Sequence, residues 1–364
     1  MEPRAGIIMG RTPYKNDNLP KHMRKRVRGQ RVYYFLDTGE KPRKEIPLGS
    51  DYFAALRKYA DLNIVTGPIE GAVFNDLARK YIAEIIPTLA KNTQVTQSSD
   101  IKHLQKFFER APLDQIKPMF VRQFLDRHAD KKTTANRCKR LLSSMWNRAL
   151  GWGYTDLPNP CTGIKGHSLE KRTVYISDDL FQAVYKHASE PLKDAMDLAY
   201  LTGQRPADAL SMSTMDMVDG HLIVTQHKTK QPLRIQITGK LKEVIDRIAA
   251  RKETSKIASA ALLVNTTGKR MTKNILRNHF DDAREAAITA ILGEDWKKEY
   301  KGKKLPANAA AIKNFWFYDL RAKAADDTSD QRGEQAASDL LGHDSIKTTQ
   351  RHYLRRGKSV SPTK

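Results

Sequence analysis

The chain has 364 residues, with 64 Lys and Arg against 41 Asp and Glu, so its formal net charge is +23. This length predicts two or three domains, and cations spread along a chain are typical of proteins that bind a polyanion. No apolar run approaches the roughly 18 residues of a membrane-spanning helix, and no signal peptide is expected. The alternative is a basic surface without a nucleic-acid partner.

Motifs for cofactors are absent from the sequence. The two cysteines, Cys138 and Cys161, are separated along the chain and indicate neither a disulfide framework nor a zinc site, which favours a reducing compartment. No HExxH helix, Walker loop or dinucleotide fingerprint occurs. We therefore expect neither a metal nor a nucleotide cofactor.

The first segment runs to residue 64 and is strongly basic, with twelve Lys and Arg against five Asp and Glu in its first 50 residues. Strand-forming residues predict β-strands at 30–37 and 44–50, and a Ser-Asp pair then caps a predicted helix over 50–63. So small a unit has few core residues, and its charge predicts that it binds a DNA backbone. The candidate contacts are Arg24, Lys25, Arg26 and Arg28.

The second segment follows a linker that glycines and a proline predict at 65–72. From about residue 73 to residue 155 the pattern predicts helices, most clearly over 132–154. One apolar stripe of that helix is interpreted as core, and the cations beside it are candidates for contact with phosphate. The stripe consists of Leu141, Leu142, Met145, Trp146, Ala149 and Leu150. The cations are Arg137, Lys139, Arg140 and Arg148.

The third segment begins after a second predicted linker at 157–173, which contains two prolines and two glycines. A capped helix is predicted over 176–188, and alternating apolar residues on both sides of a polar turn predict a β-hairpin over 220–238. Helices are predicted from about residue 239 to the end. The predicted fold is therefore multidomain and mostly α, with small antiparallel sheets.

Four stretches of the third segment carry unusual polar residues: TGQRPADAL (202–210), QHKTK (226–230), YDLRAKAA (318–325) and LLGHDS (340–345). A further tyrosine follows in TTQRHYLRR (348–356). Taken singly, each residue has a structural explanation: an ion pair for an arginine, solvent exposure for a lysine, packing for a tyrosine. Their joint occurrence in this order is far more specific. The residues are Arg205, Asp208, Lys228, Lys230, Tyr318, Arg321, His343 and Tyr353.

This order resembles the motifs of the tyrosine recombinase family, and specifically of the phage integrases. The first stretch resembles the family's first arginine motif, the second its β-hairpin lysine motif, the third its His-x-x-Arg box and the fourth its Leu-Gly-His box. Tyr318 stands where the family most often has histidine, and the spacing from His343 to Tyr353 is one residue longer than the common pattern. The catalytic resemblance spans about residues 174–356.

The resemblance implies three domains. These are an arm-type DNA-binding domain at 1–64, with a small β-sheet and a helix, a helical core-site-binding domain at 73–168, and an α+β catalytic domain at 174–364. It also implies a homotetramer on double-stranded DNA attachment sites, of arm and core type, that exchanges strands through a Holliday junction. A host DNA-bending protein and an excisionase are further partners of such systems, and the expected location is the bacterial host cytoplasm, at the nucleoid.

For the chemistry, the resemblance implies that Tyr353 attacks a DNA phosphodiester and forms a 3′-phosphotyrosyl link. A phenol has a pKa near ~10, so the attack requires that its proton leave and that the phosphate be made electrophilic. Arg205 and Arg321 have planar forks that match a phosphate. His343 is expected to add a third hydrogen bond.

The remaining residues have supporting roles in the same expectation. The lysine motif points to Lys228 as the general acid that protonates the departing 5′ oxygen, with Lys230 as a DNA contact. Asp208 is expected to orient Arg205 or to support the fold, and Tyr318 to donate a hydrogen bond. No metal or ATP is expected, because the protein–DNA bond retains the energy of the phosphodiester.

The predicted function is therefore site-specific DNA recombination by a metal-independent strand transferase that integrates, and also excises, a mobile genome. Two alternatives stay open. A type IB topoisomerase-like enzyme shares the chemistry, but the arm-type first segment argues against it. A non-catalytic DNA-binding regulator would explain the charge, but it would not explain this set of residues in family order.

Overall fold

In a computed structural model, the chain divides into two compact units, Met1–Glu170 and Lys171–Lys364. The structure describes residues 19–20, 22–38, 42–64, 71–357 and 362–363. Most of the linker predicted at 65–72 lies outside the described residues. The first unit contains both of the first two predicted segments, so their division into separate domains stays a prediction.

The first sheet is antiparallel with strand order β1-β2-β3, and its elements are β1 (Met23–Arg28), β2 (Arg31–Asp37), β3 (Glu45–Gly49) and the following helix α1 (Tyr52–Ile64). The two predicted strands and the predicted helix are confirmed. The sequence pattern does not predict β1, because cations occupy four of its six positions. Asp51 caps α1, since its Oδ1 accepts a hydrogen bond from the Ala54 amide at 2.7 Å.

Further helices complete this unit: α2 (Phe74–Glu84), α3 (Lys91–Phe108), α4 (Pro118–Arg127) and α5 (Lys132–Gly151). The helix predicted over 132–154 is confirmed as α5. Its stripe is buried as expected except for Leu150, which is 39% exposed. Placing Leu150 in the core was wrong, because Leu150 lies in the last turn of α5, where the neighbouring elements and not the apolar spacing decide which side chains are covered.

The predicted linker at 157–173 contains neither helix nor strand. The second unit then has the elements α6 (Asp178–Tyr185), α7 (Glu190–Thr202), α8 (Pro206–Ser211), β4 (Met217–Val218), β5 (His221–Thr225), β6 (Pro232–Gln236), α9 (Gly239–Thr254), α10 (Lys273–Leu292), α11 (Trp296–Glu299), α12 (Ala307–Asn314), α13 (Asp319–Arg332), α14 (Glu334–Leu341) and α15 (Ile346–His352). Strands β4, β5 and β6 form an antiparallel sheet in that order. The hairpin predicted over 220–238 is confirmed as β5 and β6.

Helix α13 lies in the core of the second unit although its sequence is polar. It packs against α7 and α14, and every residue from Asp319 to Asp326 is buried. Burying charged side chains requires that each be paired or hydrogen-bonded, so α13 organises the polar groups around it. Within the described ranges, none of the helices has the length and hydrophobicity that crossing a bilayer requires.

Candidate active site

The start of α8 positions Arg205. Pro206 takes the first helical position, where a missing N–H is tolerated, and Arg205 is the N-cap with an extended backbone. Arg205 Nη1 donates a hydrogen bond to Gln226 Oε1 at 2.8 Å, and its side chain is 17% exposed. One neutral hydrogen bond thus fixes the guanidinium, which has five N–H donors in all.

Helix α13 carries Arg321, whose side chain is among the most buried of the unit at 1% exposure. Nη1 donates to the Gly203 carbonyl at 2.7 Å, and Nη2 donates to the Leu341 carbonyl at 2.8 Å. The Nε atom is buried and has no hydrogen-bond partner among the described residues. Neutral carbonyls therefore hold the cation without cancelling its charge, which acts on its neighbours.

His343 follows α14 and contacts Arg321. Its Nε2 lies 3.2 Å from Arg321 Nη2, and its Nδ1 lies 2.8 Å from Thr349 Oγ1. Since arginine can only donate, Nε2 accepts, and the ring proton is on Nδ1 and is donated to Thr349. Burial, together with the charges of Arg321 and Arg205, lowers the pKa of His343 to about 4. The ring is therefore neutral near neutral pH.

Tyr353 ends α15 and meets Tyr318 in the same place. The two hydroxyl oxygens are 2.9 Å apart and share a hydrogen bond. The Arg321 guanidinium carbon lies 5.1 Å from the centre of the Tyr353 ring, and the His343 ring centre lies 5.1 Å from it as well. Tyr353 is 7% exposed, so its side chain is mostly shielded from solvent.

The two phenols differ in acidity. Burial raises the pKa of Tyr318 to about 12, and the hydrogen bond with Tyr353 adds to this rise. Burial also acts to raise the pKa of Tyr353, but the hydrogen bond with Tyr318 and the charges of Arg321 and Arg205 outweigh burial and lower it. Tyr353 is therefore the phenol that ionises more readily, with Tyr318 as the donor.

These groups face a cleft of about 640 Å³, lined by Arg205, Tyr318, His343 and Tyr353 among others. Lys228 lies in the turn between β5 and β6 and also lines the cleft, whereas Lys230 does not. The structure thus brings Lys228, and not Lys230, to the expected catalytic residues. Across the described part of the chain, we find no group of three or more His, Cys, Asp or Glu side chains placed to hold a metal ion.

Asp208 mainly supports the hairpin turn. It is 1% exposed, and its Oδ1 accepts hydrogen bonds from the His227 amide at 2.9 Å and from His227 Nδ1 at 2.8 Å. Its Oδ2 lies 3.9 Å from Arg205 Nη1, beyond hydrogen-bond distance. Of the two roles expected for Asp208, support of the fold therefore agrees better with its contacts.

Two buried glutamines, Gln204 and Gln226, lie beside the arginines, and neither was predicted from the sequence. Gln226 accepts from Arg205, and its Nε2 donates at 2.8 Å to both Gln204 Oε1 and the Leu341 carbonyl. That carbonyl also accepts from Arg321, so Gln226 links the two cations through shared acceptors. Their positions in the motifs could have indicated a role in the site, since each glutamine lies beside a motif residue. The sequence, however, does not distinguish a buried glutamine from an exposed one.

The candidate DNA contacts of β1 lie at the surface of the first sheet. Arg24 and Arg26 form ion pairs with carboxylates of β2 and β3, at 2.8 Å and 2.6 Å. Lys25 and Arg28 are exposed. Contact of these four residues with DNA stays a prediction.

In α5, Arg137 has a structural role that the sequence did not indicate. Its Nε and Nη2 donate to the two oxygens of buried Asp100, at 2.6 Å and 2.7 Å. This bidentate ion pair accounts for Arg137 without DNA. Arg140 and Arg148 are exposed and Lys139 is half-buried, so these three cations remain the better candidates for phosphate contact.

Comparison with known proteins gives the family. The sequence profile of the Phage integrase family matches residues 175–359. The integrases of Enterobacteria phage 434 and Escherichia phage lambda are each 25% identical over 374 residues, covering 96% of this chain and 97% of either integrase. The fold is similar to the crystal structure of a lambda integrase tetramer bound to a Holliday junction, with a TM-score of 0.66, 22% identity, and coverage of 96% of this chain and 99% of that chain. The chain therefore belongs to the phage integrase family, the tyrosine recombinases that transfer DNA strands at specific sites.

Proposed function

We propose that Tyr353 is the nucleophile with which this integrase cuts DNA. The observation that carries the proposal is the position of Tyr353, whose hydroxyl is hydrogen-bonded to Tyr318 and whose ring lies beside the Arg321 guanidinium. It faces the cleft that Lys228 also lines. Attack on a phosphodiester requires a phenol with a lowered pKa, fixed guanidinium groups and a cation that can donate a proton to the leaving oxygen.

The proposed step is a transesterification. Tyr353 Oη attacks the phosphorus, the bond from phosphorus to O5′ breaks, and a 3′-phosphotyrosyl link and a free 5′-hydroxyl result. The Tyr353 proton is released to solvent, and Tyr318 donates a hydrogen bond to the phenolate that is left. Lys228 donates a proton to the leaving O5′. The reverse reaction, on a 5′-hydroxyl of the partner duplex, rejoins the strand.

Arg205, Arg321 and His343 stabilise the charge that develops on the two non-bridging oxygens. Among the described residues, Arg205 donates one side-chain hydrogen bond and so has further donors for a phosphate, and Arg321 has a buried Nε without a partner. Donors fixed before the reaction are worth more than donors in water, and loss of one commonly costs about 10²–10³ in rate. His343 changes both tautomer and partner in this step: the ring proton moves from Nδ1 to Nε2, so that Nε2 donates to phosphate while Nδ1 accepts from the Thr349 hydroxyl.

The proposal extends to the whole chain. Residues 1–64 bind arm-type DNA, residues 73–168 bind the core site, and residues 174–364 carry out the chemistry. Solved lambda integrase structures of similar fold include a dimer bound to a core site and a tetramer bound to a Holliday junction, which supports the same assembly here. A host bending protein, an excisionase, and action at the nucleoid of a bacterial host belong to the same proposal.

The test is capture of the covalent intermediate. Selection from random duplexes gives the core site, and the full chain is then incubated with a nicked duplex carrying that site. Wild type should form a DNA-linked species on a denaturing gel, and Tyr353→Phe should form none while binding within a few-fold of wild type. A Tyr353→Phe chain that still forms the adduct would refute the assignment.

A further inference from the structure

Asp319, the first residue of α13, connects two ends of the catalytic unit. Its carboxylate is fully buried. It accepts from Arg172 Nε at 2.8 Å and Arg172 Nη2 at 2.5 Å, and from Arg355 Nη1 at 2.7 Å. The Trp316 amide donates to the same group at 2.8 Å. Both carboxylate oxygens are therefore fully used, by two arginines from opposite ends of this unit.

Arg355 lies two residues after Tyr353 and is held from several sides. Besides Asp319, its Nη1 donates to the Val174 carbonyl at 2.8 Å. Its amide donates to Asp326 Oδ1 at 2.8 Å, and its side chain is 5% exposed. The segment after the nucleophile is thus attached to α13 by both its side chain and its backbone.

Tyr353 is fixed between this attachment and α15. On its N-terminal side, the Tyr353 amide donates to the Thr349 carbonyl at 2.8 Å, and Thr349 is buried and contacts His343. On its C-terminal side, Leu354 alone separates Tyr353 from Arg355. So short a span between two attachments leaves the Tyr353 backbone little freedom.

We infer that Asp319 is a positioning residue for the nucleophile: by holding Arg355, it keeps the Tyr353 hydroxyl at the distance from Arg321 and Tyr318 that strand cleavage needs. The role rests on the proposed function of Tyr353. Asp319 does not touch the reacting atoms, so its effect is on geometry. A displacement of about 1 Å in a reacting group can cost 10²-fold in rate.

The chain contains a matched control for this inference. Asp194, in α7, is 1% exposed and also accepts from two arginines, Arg247 and Arg251. Removing either carboxylate charge therefore takes a buried ionic acceptor from two arginines, with a similar expected cost to folding. In each case at least one arginine keeps a second acceptor, such as Asp197 for Arg247 and the Val174 carbonyl for Arg355. Asp194 has no contact with the segment 353–356 among its described hydrogen bonds and ion pairs, so only Asp319 should affect Tyr353.

The experiment compares Asp319→Asn with Asp194→Asn in the full chain. Without DNA, limited trypsin digestion followed by mass spectrometry measures how fast the chain is cut after Arg355 and Arg356. We expect Asp319→Asn to be cut there at least about tenfold faster than wild type, because protection follows the free energy of local opening. Asp194→Asn should be cut there at the wild-type rate.

The second measurement is single-turnover cleavage of a nicked core site at saturating protein. Asp319→Asn should cleave about 10–100-fold more slowly with DNA affinity within about twofold, and Asp194→Asn should cleave as wild type. If Asp319→Asn does not fold, Arg355→Met removes the same ion pair by changing the arginine. This variant should also show faster trypsin digestion, measured after Arg356, and slower DNA cleavage.

Either of two results overturns the inference. One is faster tail digestion with unchanged cleavage, which would mean that the attachment does not position Tyr353. The other is slow cleavage with a protected tail, which would place the effect of Asp319 elsewhere. If wild type itself forms no adduct, the proposed function fails instead, while the trypsin comparison still tests the attachment.

Discussion

Arg321 is a buried cation that uncharged groups hold in place. An isolated guanidinium moved out of water carries a penalty of several kcal/mol, yet Arg321 is 1% exposed. Two backbone carbonyls satisfy its Nη groups, and neither carries a charge. Burial and the neighbouring Arg205 lower the pKa of Arg321. Because a guanidinium is not deprotonated in proteins, Arg321 is still a fixed source of positive potential beside Tyr353.

Tyr318→Phe tests the hydrogen bond between the two phenols. A bond to a group that becomes charged is worth about 1.5–3 kcal/mol, so we expect cleavage to slow by about 10–100-fold. Because Tyr318 helps to lower the pKa of Tyr353, the pH at which the rate rises should also move upwards. Single-turnover cleavage across a range of pH measures both effects.

The control for this substitution is Tyr200→Phe, which removes a hydroxyl that donates to Asp327 at 2.7 Å in the same unit. It should leave the cleavage rate and its pH profile unchanged. Tyr318→His should be active, because imidazole can accept the proton near neutral pH. An unaltered rate and profile in Tyr318→Phe would remove Tyr318 from the mechanism.

His343 predicts a pH dependence of stability in the absence of DNA. The folded pKa is lowered to about 4, so between the ordinary histidine value and 4 the unfolded chain binds more protons than the folded one. The stabilisation is present above the unfolded pKa and is lost as pH falls. Between about pH 7 and about pH 5 the loss should be about 1–2 kcal/mol.

Urea unfolding of wild type and His343→Gln at the two pH values measures this loss. The variant should lose less stability than wild type on acidification. His187→Gln, which changes an exposed histidine, should behave as wild type. Equal losses in wild type and His343→Gln would contradict the burial of a neutral ring at this position.

At the level of elements, the end of α14 must approach the β5–β6 hairpin closely. Gly342 has a φ of +62°, and a Cβ there would lie 2.9 Å from Leu233 Cδ1 and 3.0 Å from Gln226 Nε2. The glycine of the Leu-Gly-His box is therefore needed because it adopts a positive φ without strain and because it has no side chain. It allows the Leu341 carbonyl to reach both Gln226 and Arg321.

Gly342→Ala should destabilise the catalytic unit by about 1–3 kcal/mol and slow cleavage by about tenfold or more, because Gln226 and Arg205 must move. Gly220→Ala separates the two causes, since Gly220 has a φ of +69° with no atom within 4 Å of an added Cβ. It should reduce stability and leave cleavage intact. Thermal unfolding measures stability, and single-turnover assays measure cleavage. Equal cleavage rates in Gly342→Ala and Gly220→Ala would contradict a role for the close packing at Gly342.

At the level of the whole molecule, charge is distributed over both units, with a net +23. Binding should weaken steeply with salt, with a slope of roughly 0.9 per neutralised phosphate. We expect footprints of the full chain to cover two kinds of site, and those of a 65–364 chain to cover the core site only. Identical footprints on the complete attachment site would contradict a separate arm-binding domain.

Much of the fold was predictable from local pattern. Apolar periodicity and the glycines and prolines between elements predict helix α5, the β5–β6 hairpin, and strands β2 and β3 of the first sheet, because periodicity shows which face each element buries. The pattern fails for β1 and for Leu150. Cations hide the alternation in β1, and at the end of a helix only the neighbouring elements decide which residue is covered.

The order of Arg205, Lys228, Arg321, His343 and Tyr353 was also determined by the sequence alone, because residue type and spacing carry the motif. Only the tertiary structure decided that Gln226 links the arginines, that Tyr318 meets Tyr353, and that Arg137 pairs with Asp100.

The tertiary structure alone also decided that Arg172 and Arg355 both bind Asp319, since these residues lie up to 183 positions apart in the chain. Periodicity records whether a side chain is buried. It does not record which distant polar group shares its cavity, and in a low-dielectric interior that partner determines whether a charge is neutralised, held in place or free to act.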